Sequence, residues 1–130
     1  MPTIDTTTFW QMPGVWIAAL GGAFMLLNTV RSLSNPVTFA AYLGLPLADD
    51  RDAGMVRVYA LRALFIAVTM AGLLIIKDVP ALTIITLAAT IMAFGDAVLT
   101  SQAGAARGTV MRHVIIGVVL LVGGLLLLRG

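Results

Sequence analysis

Residues 81–100 read ALTIITLAATIMAFGDAVLT, twenty residues whose one charge is Asp96. At a rise of about 1.5 Å per helical residue, a run of this length covers about 30 Å, the thickness of a bilayer's hydrocarbon core. With a single charge in that length, the run is predicted to be a membrane-spanning helix. Just before it, KDVP at 77–80 reads as a tight turn, with Pro80 placed as the first residue of the helix, where its missing N–H costs nothing.

Working outward from this run, three more segments meet the same length requirement: 109–128, 54–76 and 14–33. The stretch SQAGAARG separates the third span from the fourth. Ser34-Asn35-Pro36 ends the first span, because proline disfavours helix in the residue before it. Trp10 and Trp16 flank the start of that span, as in an interfacial aromatic belt. The expected fold class is therefore all-α: an integral membrane up-down-up-down four-helix bundle, one domain over residues 1–130. One interfacial loop, SNPVTFAAYLGLPLADDRDAG, joins the first two helices. Phe39, Tyr42, Leu43 and Leu45 place the first half of that loop in the interface rather than in water, unless they are simply buried anchors of a connecting loop.

Composition agrees. Of 130 residues, 60% are hydrophobic and 11% charged, with a mean hydropathy of +1.04; a soluble domain carries roughly 25% charged residues. The chain has no cysteine, which excludes disulfides, thiolate zinc sites and cysteine nucleophiles. Its net charge of +2 comes from singly scattered side chains, which argues against nucleic-acid binding. A cleaved signal peptide is not expected, since MPTIDTTTFWQMP has no Lys or Arg and carries Asp5. Arg31, Arg51, Arg57, Arg107 and Arg112 fall on the side of the two longer loops, against Lys77 and Arg129 on the other. That bias orients a multi-pass protein of the cell inner membrane with both termini away from the cytoplasm.

Ionisable groups inside a membrane are costly and so mark functional sites by default. Here Asn28, Arg31, Tyr59, Arg62, Asp96 and His113 all fall in the helix ends that share the loop side, and the opposite half is almost purely apolar. Asp96 aligns with Ala89, Met92, Ala93 and Thr100, while His113 aligns with Gly117, Leu120 and Gly124. Arg62 shares a stripe with Met55, Tyr59, Ile66, Thr69 and Leu73, and lies at a depth that makes an Arg62–Asp96 pair geometrically reasonable. Such a pair either lines a site or only fixes helix register. His113 reads either as a site residue or as a hydrogen-bonded packing histidine. One histidine without Cys or Glu makes a poor ligand set, so no metal, haem or other cofactor is expected. Arg31 and Arg112 read as interfacial anchors. Thr83, Thr86 and Thr90 form a stripe whose hydroxyls can bond back to their own helix.

From about residue 36 to 128 the chain resembles a bacterial and fungal family of unknown function, the family 4267 type, built as four short membrane helices. The resemblance rests on YLGLP, RVYALRAL, FGDAVL and RHVIIG. It carries Arg62, Gly95, Asp96 and His113 over as site positions, and it implies no activity. Ala60 and Ala63 stand where the family pattern has glycine and aspartate, which leaves Asp96 as the one buried acid. A more distant, fold-level similarity is to DoxX-type four-helix proteins.

Three functions follow as expectations. The first is an intramembrane site for a lipophilic small molecule. In it Asp96 and His113 act as acid and base in isomerase, hydrolase or cyclase chemistry, and Arg62, Tyr59, Asn28 and Gly95 form the ligand-binding wall. The second is a non-catalytic membrane scaffold or subunit whose polar cluster is structural. The third is a proton-linked transporter, which would have to be a homo-oligomer because four helices enclose little volume. The partners these readings allow are the lipid bilayer, a lipophilic small molecule and further copies of the chain.

Overall fold

The computed structural model describes residues 6–129. Its helices are α1 (Thr6–Gln11), α2 (Pro13–Ser34), α3 (Pro36–Leu43), α4 (Ala53–Ile76), α5 (Val79–Gln102) and α6 (Arg107–Arg129), with a short 3₁₀ turn at Asp50–Asp52 and no strand among the described residues. α2, α4, α5 and α6 are each long and apolar enough to cross a membrane. Their outward faces carry large apolar side chains such as Leu20, Phe65, Ile75, Ile84 and Ile91, so the chain is a membrane protein in contact with lipid.

Residue pairs across the helix contacts fix the topology. Gly117 lies against Phe94 and Gly124 against Leu87, so α6 runs antiparallel to α5. Gly123 against Ile17 and Gly21 against Leu120 do the same for α2 and α6. Gly22 meets Met70, and the Thr29 hydroxyl reaches the Ala60 carbonyl at 3.4 Å, which sets α2 antiparallel to α4. The neighbours run α4–α2–α6–α5, whereas α4 and α5, though consecutive, touch little. Glycine is what allows the tightest of these approaches: a Cβ on Gly124 would stand 2.4 Å from Leu87 Cδ2. In lipid, where burial gives no hydrophobic drive between helices, such close packing supplies much of the association.

Two ends of the bundle differ. At the α4–α5 turn, Val15, Ala18, Met70, Val79, Leu82 and Leu127 form a dry cluster, closed by Phe9 from α1. Asp78 caps α5 there by accepting from the Ala81 N–H at 3.0 Å, and Pro80 sits in the first turn. The Trp16 indole donates to the Trp10 carbonyl at 2.9 Å on the same exposed rim.

At the other end, half of the expected loop is helical. Asn35 accepts from the Thr38 N–H at 3.2 Å and starts α3, whose Phe39 and Ala40 bury against Val56 of α4. Gly44 ends α3 with φ +84°, and a side chain there would also stand 2.8 Å from Ala105 Cβ. The chain thus lays α3 across the loop end of the bundle, against the start of α6. α1 is a second helix absent from the sequence reading. Asp5 and the first residues lie outside the described part.

Candidate functional site: a polar cavity under α3

A mostly enclosed cavity of about 40 Å³ lies at this end, where α2, α3, α4, α5 and α6 converge. Its polar wall is Asn28, Tyr42, Tyr59, Asp96, Arg112 and His113. Toward the membrane centre, Phe24, Ile66, Ala89 and Leu120 make it apolar. Asn28 is 2% exposed and His113 6% exposed. Asn28 Oδ1 and His113 Nε2 are fully buried, and neither has a hydrogen-bond partner.

Local structure explains how each group arrives. On α2, Gly22, Thr29 and Ser32 are buried in the bundle, with Asn28 beside them on the cavity side. The Ser32 hydroxyl donates to the Asn28 backbone carbonyl at 2.7 Å, and the Asn28 side chain lines the cavity. On α5 the buried face is Ala89, Ala93 and Ala97, and Asp96 sits half-buried at its edge. On α6, His113 lies one turn before Gly117, on the face packed into the bundle. Asp96 and His113 are within electrostatic reach of each other. Tyr59 stands beside the Asn28 amide and within electrostatic reach of Asp96, yet no hydrogen bond of ordinary geometry reaches Asn28 Oδ1.

α3 is held over the cavity by α6. The Arg112 guanidinium lies 3.8 Å from the centre of the Tyr42 ring, and Arg112 Nη2 also donates to the Tyr42 backbone carbonyl. Phe39 stacks between Tyr42 and Tyr59 at 6.0 and 5.5 Å, continuing the roof to α4.

Four of the site residues expected from sequence therefore meet at one cavity: Asn28, Tyr59, Asp96 and His113. Arg62 and Gly95 do not. Ala60, Ala63 and Ala67 form the face of α4 that packs inward, and Arg62, one residue before Ala63, is rotated about 100° away and exposed. No Arg62–Asp96 pair forms; the ion pair present among the described residues is Arg51 with Asp49, at 2.9 Å. Gly95 is exposed too, with nothing within 4 Å of where its Cβ would be. Arg112, read as an interfacial anchor, and Tyr42, read as interfacial or as a buried anchor, both line the cavity. The threonine stripe is as expected: Thr83, Thr86 and Thr90 donate to carbonyls four residues back at 2.8, 2.7 and 3.3 Å. No group of metal-ligating side chains occurs among the described residues.

A family model described as "Domain of unknown function (DUF4267)" matches residues 22–127, a span that includes the whole cavity lining. No curated protein matches the chain, and no solved structure does, so the likeness to DoxX-type proteins gains no support from either.

Proposed function

We propose a function for a chain that belongs to the DUF4267 family, which brings no activity of its own: an intramembrane receptor site for the polar end of a lipophilic small molecule. The observation that carries this reading is the pair of buried, unpartnered atoms, Asn28 Oδ1 and His113 Nε2, on one cavity. Leaving a buried polar group unsatisfied costs about 1–3 kcal/mol. Two such groups facing the same space fit a site completed by something that binds there. Asn28 Oδ1 needs a donor, and the imidazole nitrogen donates or accepts according to tautomer, so a hydroxyl group satisfies both. The apolar lining suits the carbon chain behind that hydroxyl.

The test is to purify the protein from its host membrane and identify by mass spectrometry what its organic extract contains beyond bulk lipid. An amphiphile with a small hydroxyl end should be enriched at least ten-fold over an Asn28→Leu, His113→Phe double variant. Identical extracts would remove the support for a ligand.

A second reading adds chemistry, and the shared cavity of Asp96 and His113 favours it. With a ketone seated there, the Asp96 carboxylate can take a proton from the carbon next to the carbonyl while His113 gives one to the carbonyl oxygen. The reverse step restores the ketone. In deuterium oxide the protein should then exchange the α-hydrogens of a long-chain methyl ketone about 10²-fold or more faster than empty nanodiscs. Asp96→Asn should abolish the excess. If wild type and Asp96→Asn exchange alike, the site binds without this chemistry.

The scaffold reading asks that the whole polar cluster be structural, and the two buried atoms of that cluster without a partner favour the receptor site over it. The apolar cluster across the far end of the bundle favours a binding site over a proton path.

A further inference from the structure

The cavity is well walled except on one side. α5 packs along α6 and α2 along α4, but the α4–α5 seam is thin. On α5, Ala89 and Ala93 close toward α6, whereas Met92 both lines the cavity and is 42% exposed on the lipid-facing surface. Across the seam, half-buried Ile66 is the apolar α4 residue that lines the cavity, with Phe65 beside it exposed. Met92 and Ile66 are thus the apolar side chains that line the cavity from the two sides of the seam.

Size sharpens this. A volume of about 40 Å³ takes in about three water-sized groups. A small polar end suits this space better than a phosphate-glycerol headgroup, and most of the ligand then lies outside it.

We infer that the cavity opens sideways to the membrane between α4 and α5, with Met92 as its gate, and that its ligand is a single-chain amphiphile. The ligand's small uncharged head, a hydroxyl, is held at Asn28 and His113, and its chain passes the seam into lipid. This rests on the cavity being a ligand site and adds the ligand's class and its route. Methionine suits the gate, since its unbranched, three-torsion side chain moves aside at little cost. The seam also explains why two helices joined by so short a turn stay apart along their length. The chain between them takes the place that side-chain packing fills elsewhere in the bundle.

His113 is the one histidine in the chain, so its side-chain resonances are unambiguous in protein labelled at histidine. The experiment follows them in lipid nanodiscs on addition of dodecanol, propanol or dodecane. In wild type both alcohols should move the His113 signals and dodecane should not. Met92→Trp, which fills the seam, should raise the dodecanol concentration needed by at least ten-fold and leave the propanol response in place, which also shows that the variant is folded. Ile91→Trp, one residue away on the outer face where Ile91 is 76% exposed, should behave as wild type.

Should Met92→Trp lose both responses, Met92→Phe replaces it and must weaken the dodecanol response selectively; losing both again counts against the gate. An unchanged dodecanol response in Met92→Trp overturns the side opening while the cavity reading stands. Dodecane acting as strongly as dodecanol overturns the assigned head. No response to either alcohol in wild type removes the cavity reading and this inference with it.

Discussion

An Asn28→Leu, His113→Phe double variant is expected to be at least as stable as the wild type, and by about 2 kcal/mol or more, if each unsatisfied buried group costs about 1–3 kcal/mol. Both replacements are close in size to what they replace, and both sit beside a cavity that leaves them room. The sign is what matters. In a closed polar network each truncation strands a partner and lowers stability. Here Asn28 Oδ1 and His113 Nε2 have no partner to strand, so their removal relieves a cost that outweighs the loss of the Asn28 amide beside Tyr59 and of the imidazole near Asp96. The midpoint of thermal unfolding in detergent, wild type against double variant, measures it. A clear loss of stability would mean that Asn28 and His113 hold the bundle together, and the receptor reading would then lack its central observation. A protein that gives up stability to keep two polar atoms unpaired does so where function requires them.

The second large effect is expected at the roof. Arg112→Met removes a stacked guanidinium, worth about 0.5–2 kcal/mol, and a charge-assisted hydrogen bond, worth about 1.5–3 kcal/mol. A local loss of about 3 kcal/mol corresponds to about a 100-fold faster opening of α3, read as hydrogen exchange of the amides around Phe39–Leu43. α5 and α6 away from the loop end should exchange as before. Tyr42→Phe is the informative companion. Arg112 donates to the backbone carbonyl and stacks on the ring, so losing the phenol hydroxyl should change α3 exchange little. Arg112→Lys should recover only part of the protection, because an ammonium lacks the planar fork that serves ring and carbonyl together. Unchanged exchange in Arg112→Met would show that α3 is held by Phe39 and Ala40 alone.

The four spans were legible because the bilayer sets length and apolarity directly, and each observed helix extends the expected one by no more than about a turn. The clustering of Asn28, Tyr59, Asp96 and His113 was legible for a related reason. In an up-down bundle, residues at alternate helix ends share a depth, and polar groups are rare enough there to stand out. Rotation about each axis was harder to read. A soluble helix shows its buried face by being apolar, but a helix in lipid is apolar on both faces, so Arg62 on the Tyr59–Ile66 stripe looked as inward as its neighbours. The inner face of α4 is instead marked by alanines, at Ala60, Ala63 and Ala67. Gly95, taken into the site on the family resemblance, faces outward with nothing near it. Small side chains permit close approach without requiring it. The Arg112–Tyr42 contact joins residues 70 apart in the chain and depends on α3 being a helix, which the proline and the apolar run at 36–43 did not by themselves disclose.

A structure determined in a lipid bilayer, at a resolution that shows ordered small molecules, decides whether the cavity is a ligand site. Non-protein density is expected in the cavity within hydrogen-bonding distance of both Asn28 Oδ1 and His113 Nε2, continuing past Met92 as a chain between α4 and α5. The ligand site is refuted if Tyr59 has turned to donate to Asn28, His113 is bonded within the protein, and the space between them is closed.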